Sequence, residues 1–344
     1  MPTSSDASFD AAAARPPSDW RFPRPFGARA VAIAIAALAL LSFTGARLDM
    51  GRMVVSSVDG VLAAAGVKSE SEVASGFKKI ATSIFPIQIE ERTPVGRIEG
   101  FDPARLPPFS HVETVETKTQ HLDPLTFREV TTTEHEEMLV QPVGYLLHVA
   151  AKMAETLEIA LWGTVLAVIV SLPLAVLGAR NFTPHPLVHA AVRGLVSLLR
   201  AVPELISALF LVLAYGFGPI AGVLALAIHG AGFLGKFYAE DIENADPKPQ
   251  EALRAIGASP LKVLRFSVWP QVAPQYVAYT LYVLDRNVRM ATVIGLVGAG
   301  GVGQELKGRY DMYNYGHVGT ILVAIFLLVF ALDQLSTRLR RLWL

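Results

Sequence analysis

Long apolar runs separated by polar stretches dominate this chain and set the first expectations about its fold. A helix needs roughly 20 apolar residues to cross a bilayer. The longest run is long enough for two crossings, with a turn at Gly216–Pro219. The other runs predict one crossing each, so the pattern predicts six membrane-spanning helices. The apolar runs lie at 30–46, 156–179, 197–235, 272–298 and 317–335.

The same pattern divides the chain into four segments. It predicts an all-α integral membrane fold of about six helices, with a small α+β insertion outside the membrane. The first residues are rich in Pro, Ser, Ala and Asp, a composition that favours disorder. The predicted segments are a disordered cytoplasmic tail (1–28), a first transmembrane helix (29–46), an extracytoplasmic insertion (47–145) and a five-helix core (146–344) with a cytoplasmic loop at 237–270.

Basic residues near both ends of the chain set the predicted orientation. Lys and Arg are enriched in short cytoplasmic segments, and six spans place both termini on the same side. We therefore expect both termini and the 237–270 loop in the cytoplasm, with 47–145 outside. The terminal arginines are Arg15, Arg21, Arg24, Arg29, Arg338, Arg340 and Arg341.

The 47–145 insertion has a pattern of its own. It carries 15 acidic and 10 basic residues. Val112–Thr119 and Phe127–Thr133 alternate in the manner of half-buried strands, with a turn at Leu122–Pro124. Residues 71–85 have a helical pattern. A small α+β subdomain is the interpretation we favour, and a partly ordered spacer is the alternative.

Composition excludes several classes of function. The chain is 52% hydrophobic and 17% charged, against about 25% charged residues in soluble domains. A formal net charge of zero gives no indication of nucleic-acid binding. There is no cysteine, which excludes disulfides, thiolate metal sites and a cysteine nucleophile. His111, His121 and His135 lack metal-ligand spacing, so we expect no metal site.

A short motif in the 237–270 loop predicts a helix, a turn and a second helix. Gly257 is placed to end the first helix. Ser259 is a suitable N-cap and Pro260 suits the first position of the second helix. Leu261, Leu264 and Val268 recur along one predicted face.

This loop resembles the EAA loop of ABC importer membrane subunits, which docks on the ATP-binding subunit. The resemblance rests on a Glu–Gly–Pro frame, while Leu253, Ser267 and Trp269 depart from the family pattern. It implies a membrane fold of the type I importer kind and a role in coupling. The implied coupling residues are Glu251, Ala252, Gly257, Ala258, Pro260 and Pro270.

Residues from about 150 to 340 are similar to the phosphonate-importer membrane subunit, a permease of the binding-protein-dependent transport family. The similarity is carried by Arg200–Glu204, His229–Lys236 and Ala291–Leu306. It implies a non-enzymatic subunit of the bacterial inner membrane. It also implies a homodimer, two ATPase subunits that bind ATP and magnesium, and a periplasmic binding protein. A phosphite, phosphate-ester or other small-solute permease, or a secondary transporter, remains an alternative.

Two glycine motifs mimic nucleotide sites. Gly230–Lys236 fits the start of a P-loop, but Phe237 stands where Ser or Thr should hold magnesium. Gly298–Gly303 fits a dinucleotide fingerprint, which requires a preceding strand. Both follow predicted membrane helices, so we expect no nucleotide site.

Charges inside the membrane runs are costly and therefore candidates for function. Arg286 and Arg289 share one helix face at i, i+3 spacing. They either attract an anion along a translocation path or form a structural pair with Asp285. Glu204 either pairs with an arginine or accepts hydrogen bonds at a helix break. The glycine run either shapes the outer mouth of the pore or packs helices closely. The candidate path residues are Arg286, Arg289, Glu204, Gly298, Gly300, Gly301 and Gly303.

Overall fold

The computed structural model describes residues 28–67, 71–103, 105–122 and 129–343, which form two units. The first unit, residues 1–80, contains α1 (Ala28–Arg47), α2 (Met50–Ala64) and most of α3 (Glu72–Ile84). Helix α1 agrees with the predicted first span, and α3 with the helical pattern. Helix α2 was not predicted. The predicted disordered tail, as far as Gly27, lies outside the described residues.

The second unit, residues 81–344, begins with a three-stranded antiparallel sheet of order β1-β3-β2. The strands are β1 (Glu91–Pro94), β2 (His111–Leu122) and β3 (Glu129–Gln141). Only the last four residues of β3 pair with β1, so the rest of the hairpin is paired on one side only. The two predicted strands are present, while the predicted turn beyond Leu122 lies outside the described residues.

Helices make up the rest of the second unit. At its centre, α4 (Gly144–Gly178) packs along α7 (Pro219–Asn244), with α10 (Trp269–Gly295) against both. The helices are α4 (Gly144–Gly178), α5 (Pro186–Ala201), α6 (Glu204–Tyr215), α7 (Pro219–Asn244), α8 (Pro247–Ala255), α9 (Pro260–Val263), a π-helical turn (Leu264–Val268), α10 (Trp269–Gly295), α11 (Gly301–Asp311) and α12 (Tyr315–Trp343).

Small residues let these helices approach one another. A Cβ added to Gly163 would lie 2.8 Å from the Leu226 side chain, and one added to Gly230 would lie 2.8 Å from Ala167. Ile159 and Ile294 fill the space between the backbones, and both are buried. Helices in a bilayer associate through such close packing, since lipid is as apolar as their side chains.

Among the described residues, four helices are long and apolar enough to cross a membrane, or five if α5 and α6 together form one broken span. Helix α10 has 27 residues but carries three charges and is not in that set. The first half of the 197–235 run, for which the sequence predicts one crossing, is bent, because α5 and α6 meet at 88°. Pro203 causes the break, since it restricts Val202 to extended geometry and cannot donate a helical hydrogen bond.

An extended segment before β1 fastens the sheet to the helices. The Gln88 N–H donates to the Gly316 carbonyl at 3.2 Å, and the Thr320 hydroxyl donates to the Gln88 carbonyl. The Leu146 N–H donates to the Ile89 carbonyl at 3.3 Å. The start of the sheet is therefore held against the first turns of α4 and α12.

Candidate functional site

In the loop between α7 and α10, one helix ends and the next begins where the motif predicts, although the Ser259 side chain makes no capping hydrogen bond. The Asp246 side chain caps α8 by accepting from the Lys248 N–H at 3.0 Å. Gly257, with φ +83°, ends the helix. Its N–H donates to the Arg254 carbonyl at 2.9 Å, and the next N–H donates to the Leu253 carbonyl at 3.0 Å. These two bonds form a Schellman motif, which confirms the predicted helix end at Gly257.

The surface of this loop is apolar as well as charged. Ile256 is 80% exposed, Leu261 76% and Phe266 63%. The predicted apolar face of the second helix is partly wrong, because Leu261 points to the surface while Val268 is buried. The exposed loop residues that the motif singled out are Glu251, Ala252, Gly257, Pro260 and Pro270, and Ala258 is half-buried.

The loop is shorter than predicted and joins α10 through a widened turn. Residues 237–244 belong to α7, so the loop proper begins after Asn244. Pro270 has no N–H to donate to the carbonyl four residues earlier. The π-helical turn Leu264–Val268 lies just before this missing bond. Such turns inside α-helices are frequent at functional sites.

The glycine run at the α10–α11 junction is irregular backbone buried in protein. Gly298, Gly300 and Gly301 have positive φ, between 72° and 92°. A Cβ added to Gly303 would overlap the Thr292 carbonyl oxygen. All four motif glycines are buried in the chain. Within the described residues the run is therefore irregular backbone in close packing, and its place at the outer mouth of a pore stays a prediction.

Helix α4 caps α11 from the side. The Gly301 N–H donates to Glu155 Oε1 at 3.0 Å, and the Val302 N–H donates to Thr156 Oγ1 at 2.8 Å. Lys152 lies 2.8 Å from Glu155 and balances its charge. These contacts satisfy two N–H groups at the helix start that have no intrahelical partner.

Glu204, His229 and Arg286 meet where α5 bends into α6. Arg286 Nη2 donates to Glu204 Oε1 and lies 3.0 Å from His229 Nε2. His229 Nε2 lies 3.2 Å from Glu204 Oε1, and its Nδ1 lies 3.5 Å from the Val202 carbonyl oxygen. The Glu204 side chain is 12% exposed and that of Arg286 is 28% exposed. The sequence left two options for Glu204, and the structure selects pairing with an arginine.

Arg286 and Arg289 have separate partners despite their shared spacing. Arg289 pairs with Asp285 at 2.5 Å, one helical turn away, and its side chain is 51% exposed. Arg286 is held by a different helix. The structural pair with Asp285, one of the two alternatives from the sequence, is therefore present for Arg289, while Arg286 pairs with Glu204. Three-residue spacing alone could not show this, because the partner of Arg286 is distant in sequence.

Both nucleotide-like motifs lie in helical surroundings. Gly230–Lys236 is continuous helix inside α7, where Gly232 packs against Leu199 and Arg200. Gly298–Gly303 follows α10 rather than a strand. The glycines serve helix packing in both places.

Sequence reasoning missed part of this arrangement. Thr156 and Glu155 carry no motif, and their role depends on the α11 start lying beside α4. His229 stood next to the quoted glycines, yet only the fold brings it to Glu204 and Arg286. A polar residue inside an apolar run was the only available signal.

Comparison with known proteins gives consistent matches. The chain is 58% identical over 257 residues to the putative phosphite transport system permease protein HtxE of Stutzerimonas stutzeri, covering 75% of this chain and 98% of that protein. It is 46% identical over 189 residues to the phosphite transport system permease protein PtxC of the same species, covering 55% of this chain and 69% of that protein.

A solved structure shares the fold. It is the MetNI methionine ABC transporter in an inward-facing conformation, with TM-score 0.50 and 24% identity over 57% of this chain and 96% of the matched chain. The family model for the binding-protein-dependent transport system inner membrane component matches residues 151–342, more than half of the chain. The chain has the type I ABC importer permease fold and belongs to the family of binding-protein-dependent transport system inner membrane components.

Proposed function

We propose that this chain is the permease subunit of an ATP-driven importer for small phosphorus oxyanions, with phosphite and phosphonate as the first substrates to test. The single strongest support is the 58% identity to a putative phosphite permease over nearly all of that relative. The family model and the shared permease fold support the transport role independently of substrate. The relatives are transport permeases, and this chain is one as well.

The test is reconstituted transport. The chain is co-expressed with its partner ATPase and binding protein, and uptake of phosphite, methylphosphonate, phosphate and sulfate into proteoliposomes is measured. We expect ATP-dependent uptake of at least one phosphorus oxyanion and none of sulfate. Uptake restricted to an unrelated solute would refute the proposed substrate class.

The loop around Gly257 is proposed to couple this chain to the ATPase. Its exposed apolar residues Ile256 and Leu261 flank a turn fixed by two backbone hydrogen bonds. Exposed apolar patches on an otherwise polar surface mark sites of protein association. ATP and magnesium are bound by the partner, and two such ATPase subunits serve a homodimer of this chain. The permease itself contributes the docking surface.

The proposed topology places both termini and this loop in the cytoplasm and the sheet outside. It follows from the arginines at both ends of the chain. Reporter fusions at residues 90 and 255 test it, and we expect an external signal from the first and an internal signal from the second. Signals from the same side would refute the six-span arrangement.

The sheet is proposed to lie near the docking site of the periplasmic binding protein. Support comes from the hydrogen bonds that hold Gln88 and Ile89 to α12 and α4, because they give the hairpin a rigid base. Glu113 and Met138 are paired across the strands, so an Asn-Gly turn can replace residues 114–137 and join them. This change shortens the hairpin and keeps its base. We expect assembled protein with weakened response to the binding protein. Full transport would make the hairpin a spacer.

A further inference from the structure

The cluster at the α5–α6 break has hydrogen-bonding groups to spare. Arg286 contacts Glu204 and His229 through Nη2 alone. Among the described residues, its Nε and Nη1 have no partner, and neither atom is buried. A guanidinium has five N–H donors, so three remain for a ligand.

Glu204 offers an unused acceptor beside these donors. Its Oε1 accepts from Arg286 Nη2 and lies 3.2 Å from His229 Nε2, and within the described part of the chain Oε2 has no partner and is not buried. The ring of His229 orients the cluster. With Nδ1–H toward the Val202 carbonyl, its Nε2 accepts from Arg286, which is the arrangement of a neutral imidazole.

Free donors next to a free carboxylate oxygen match one ligand chemistry. An ionised oxyanion oxygen accepts from the arginine fork. A hydroxyl on the same central atom donates to the carboxylate. A fully ionised oxyanion has no proton to donate and is repelled by the carboxylate charge. The cluster thus distinguishes tetrahedral oxyanions by whether they keep a proton.

We propose that Glu204, His229 and Arg286 form a recognition site for a partly protonated tetrahedral oxyanion during translocation. The site rests on the proposed function and deepens it by naming the protonation state that the permease accepts. Arg286 binds the ionised oxygens, Glu204 Oε2 accepts the hydroxyl proton, and His229 positions Arg286. Phosphate monoesters have a second pKa of about 6, and the related phosphorus oxyanions likewise keep this proton on part of their population near neutral pH, whereas sulfate does not.

Neighbouring charges differ in what they can contribute. Arg289 is neutralised by Asp285 on its own helix, and Arg200 at the end of α5 acts electrostatically on His229. Lys307 pairs with Asp311 on α11, away from this cluster, and both side chains are about half exposed, which makes Lys307→Gln the control for loss of a paired cation. We expect that control to transport at the wild-type rate.

A double variant separates recognition from mere structural pairing. Glu204→Gln with Arg286→Gln leaves no unpaired buried charge, so assembly and binding-protein-stimulated ATPase activity should persist. Phosphite uptake by the reconstituted complex should fall about tenfold or more, the equivalent of one lost charge-assisted hydrogen bond. Uptake at the wild-type rate would overturn the proposal.

If the double variant does not assemble, Arg286→Lys takes its place, since Lys keeps the charge and loses the planar guanidinium that binds two oxygens at once. It should transport several-fold more slowly, and a wild-type rate would again overturn the site.

The pH profile tests the role of Glu204 separately. With loaded binding protein saturating at every pH, wild-type uptake should fall as pH rises above about 6, because the protonated oxyanion becomes scarcer. Glu204→Gln should flatten this profile, since an amide both accepts from a hydroxyl and donates to an ionised oxygen. Identical profiles would overturn the proposal. Failure of the wild type to transport any phosphorus oxyanion would refute the proposed function instead, so the two failures are distinguishable.

Discussion

Two glycine turns in this chain have similar backbone geometry and opposite surroundings. Gly257, with φ +83°, lies on the exposed loop, and a Cβ built there meets nothing within 4 Å. The junction between α10 and α11 also has positive φ, but its glycines are pressed against α4, α10 and the α6–α7 turn. The first turn needs glycine for its backbone alone, and the second needs it for space as well. A glycine motif in sequence therefore does not reveal whether a substitution will only strain the backbone or will also overlap neighbouring atoms.

The largest effect should follow from Gly303→Ala at the buried junction. The added methyl group would overlap the Thr292 carbonyl oxygen, which cannot rotate away. Overpacking of this kind costs about 1–3 kcal/mol or more, so we expect a low yield of assembled permease by size-exclusion chromatography in detergent.

Gly308→Ala in the same helix is the matched control. Gly308 has open space around its Cα, and Ala is the better helix former by about 1 kcal/mol. We expect unchanged or slightly raised thermal stability. Equal yields for both variants would show that the junction is not tightly packed.

Gly257→Val should abolish uptake while the protein still inserts and assembles. A β-branched residue at positive φ costs roughly 1–2 kcal/mol, and the strain stays local because no other side chain touches the site. ATPase activity and uptake measured on the same reconstituted sample report coupling.

Gly257→Asn controls for the loss of glycine itself, since Asn tolerates the left-handed region. We expect it to retain most uptake. If Val and Asn behave alike, backbone geometry at this turn is not what coupling requires.

Thr156→Val should have a moderate effect, since it removes only the cap that α4 provides to α11. The Val302 N–H loses its acceptor, and a lost cap costs about 1 kcal/mol. We expect a lower melting temperature by thermal-shift assay in detergent. Thr156→Ser keeps the hydroxyl and should melt near the wild type. A stable Val variant would mean that the cap contributes nothing.

The smallest effect concerns pH and Glu305 on α11. Burial alone would raise its pKa, but the hydrogen bond from Arg309 at 2.8 Å and the charge of that residue outweigh it and hold the pKa below its usual range. The stabilisation is therefore present above the unfolded pKa of about 4.3 and is lost as pH falls through the folded value.

Glu305→Gln should lower the melting temperature slightly near neutral pH and have little effect at acidic pH. The quantity to follow is the difference in melting temperature between wild type and variant across this range. A difference that grows as pH falls would contradict the assigned direction.

Local structure was predictable wherever the cause lay within a few residues. The helix end at Gly257 and the start of α9 at Pro260 follow from backbone preferences that need no tertiary partner. The two strands of the hairpin follow from alternation in sequence. The bend at Pro203 was equally local, and the sequence raised a helix break there only as one of two alternatives for Glu204.

Contacts between helices were not predictable from spacing. Arg286 and Arg289 share one side of α10 by sequence, and their partners differ because Glu204 arrives from another helix. Thr156 gains its role in the same way, from a helix start that lies 146 residues away.

By itself, the sequence determined that the chain belongs in a membrane and where the turn at Gly257 lies. Apolar length and backbone preference are properties of contiguous residues. Only the tertiary structure decided how Glu204, Arg286 and Arg289 pair and why the glycine run is needed. Both depend on distances between helices, because the free energy of a buried charge or an added methyl group is set by the atoms that surround it.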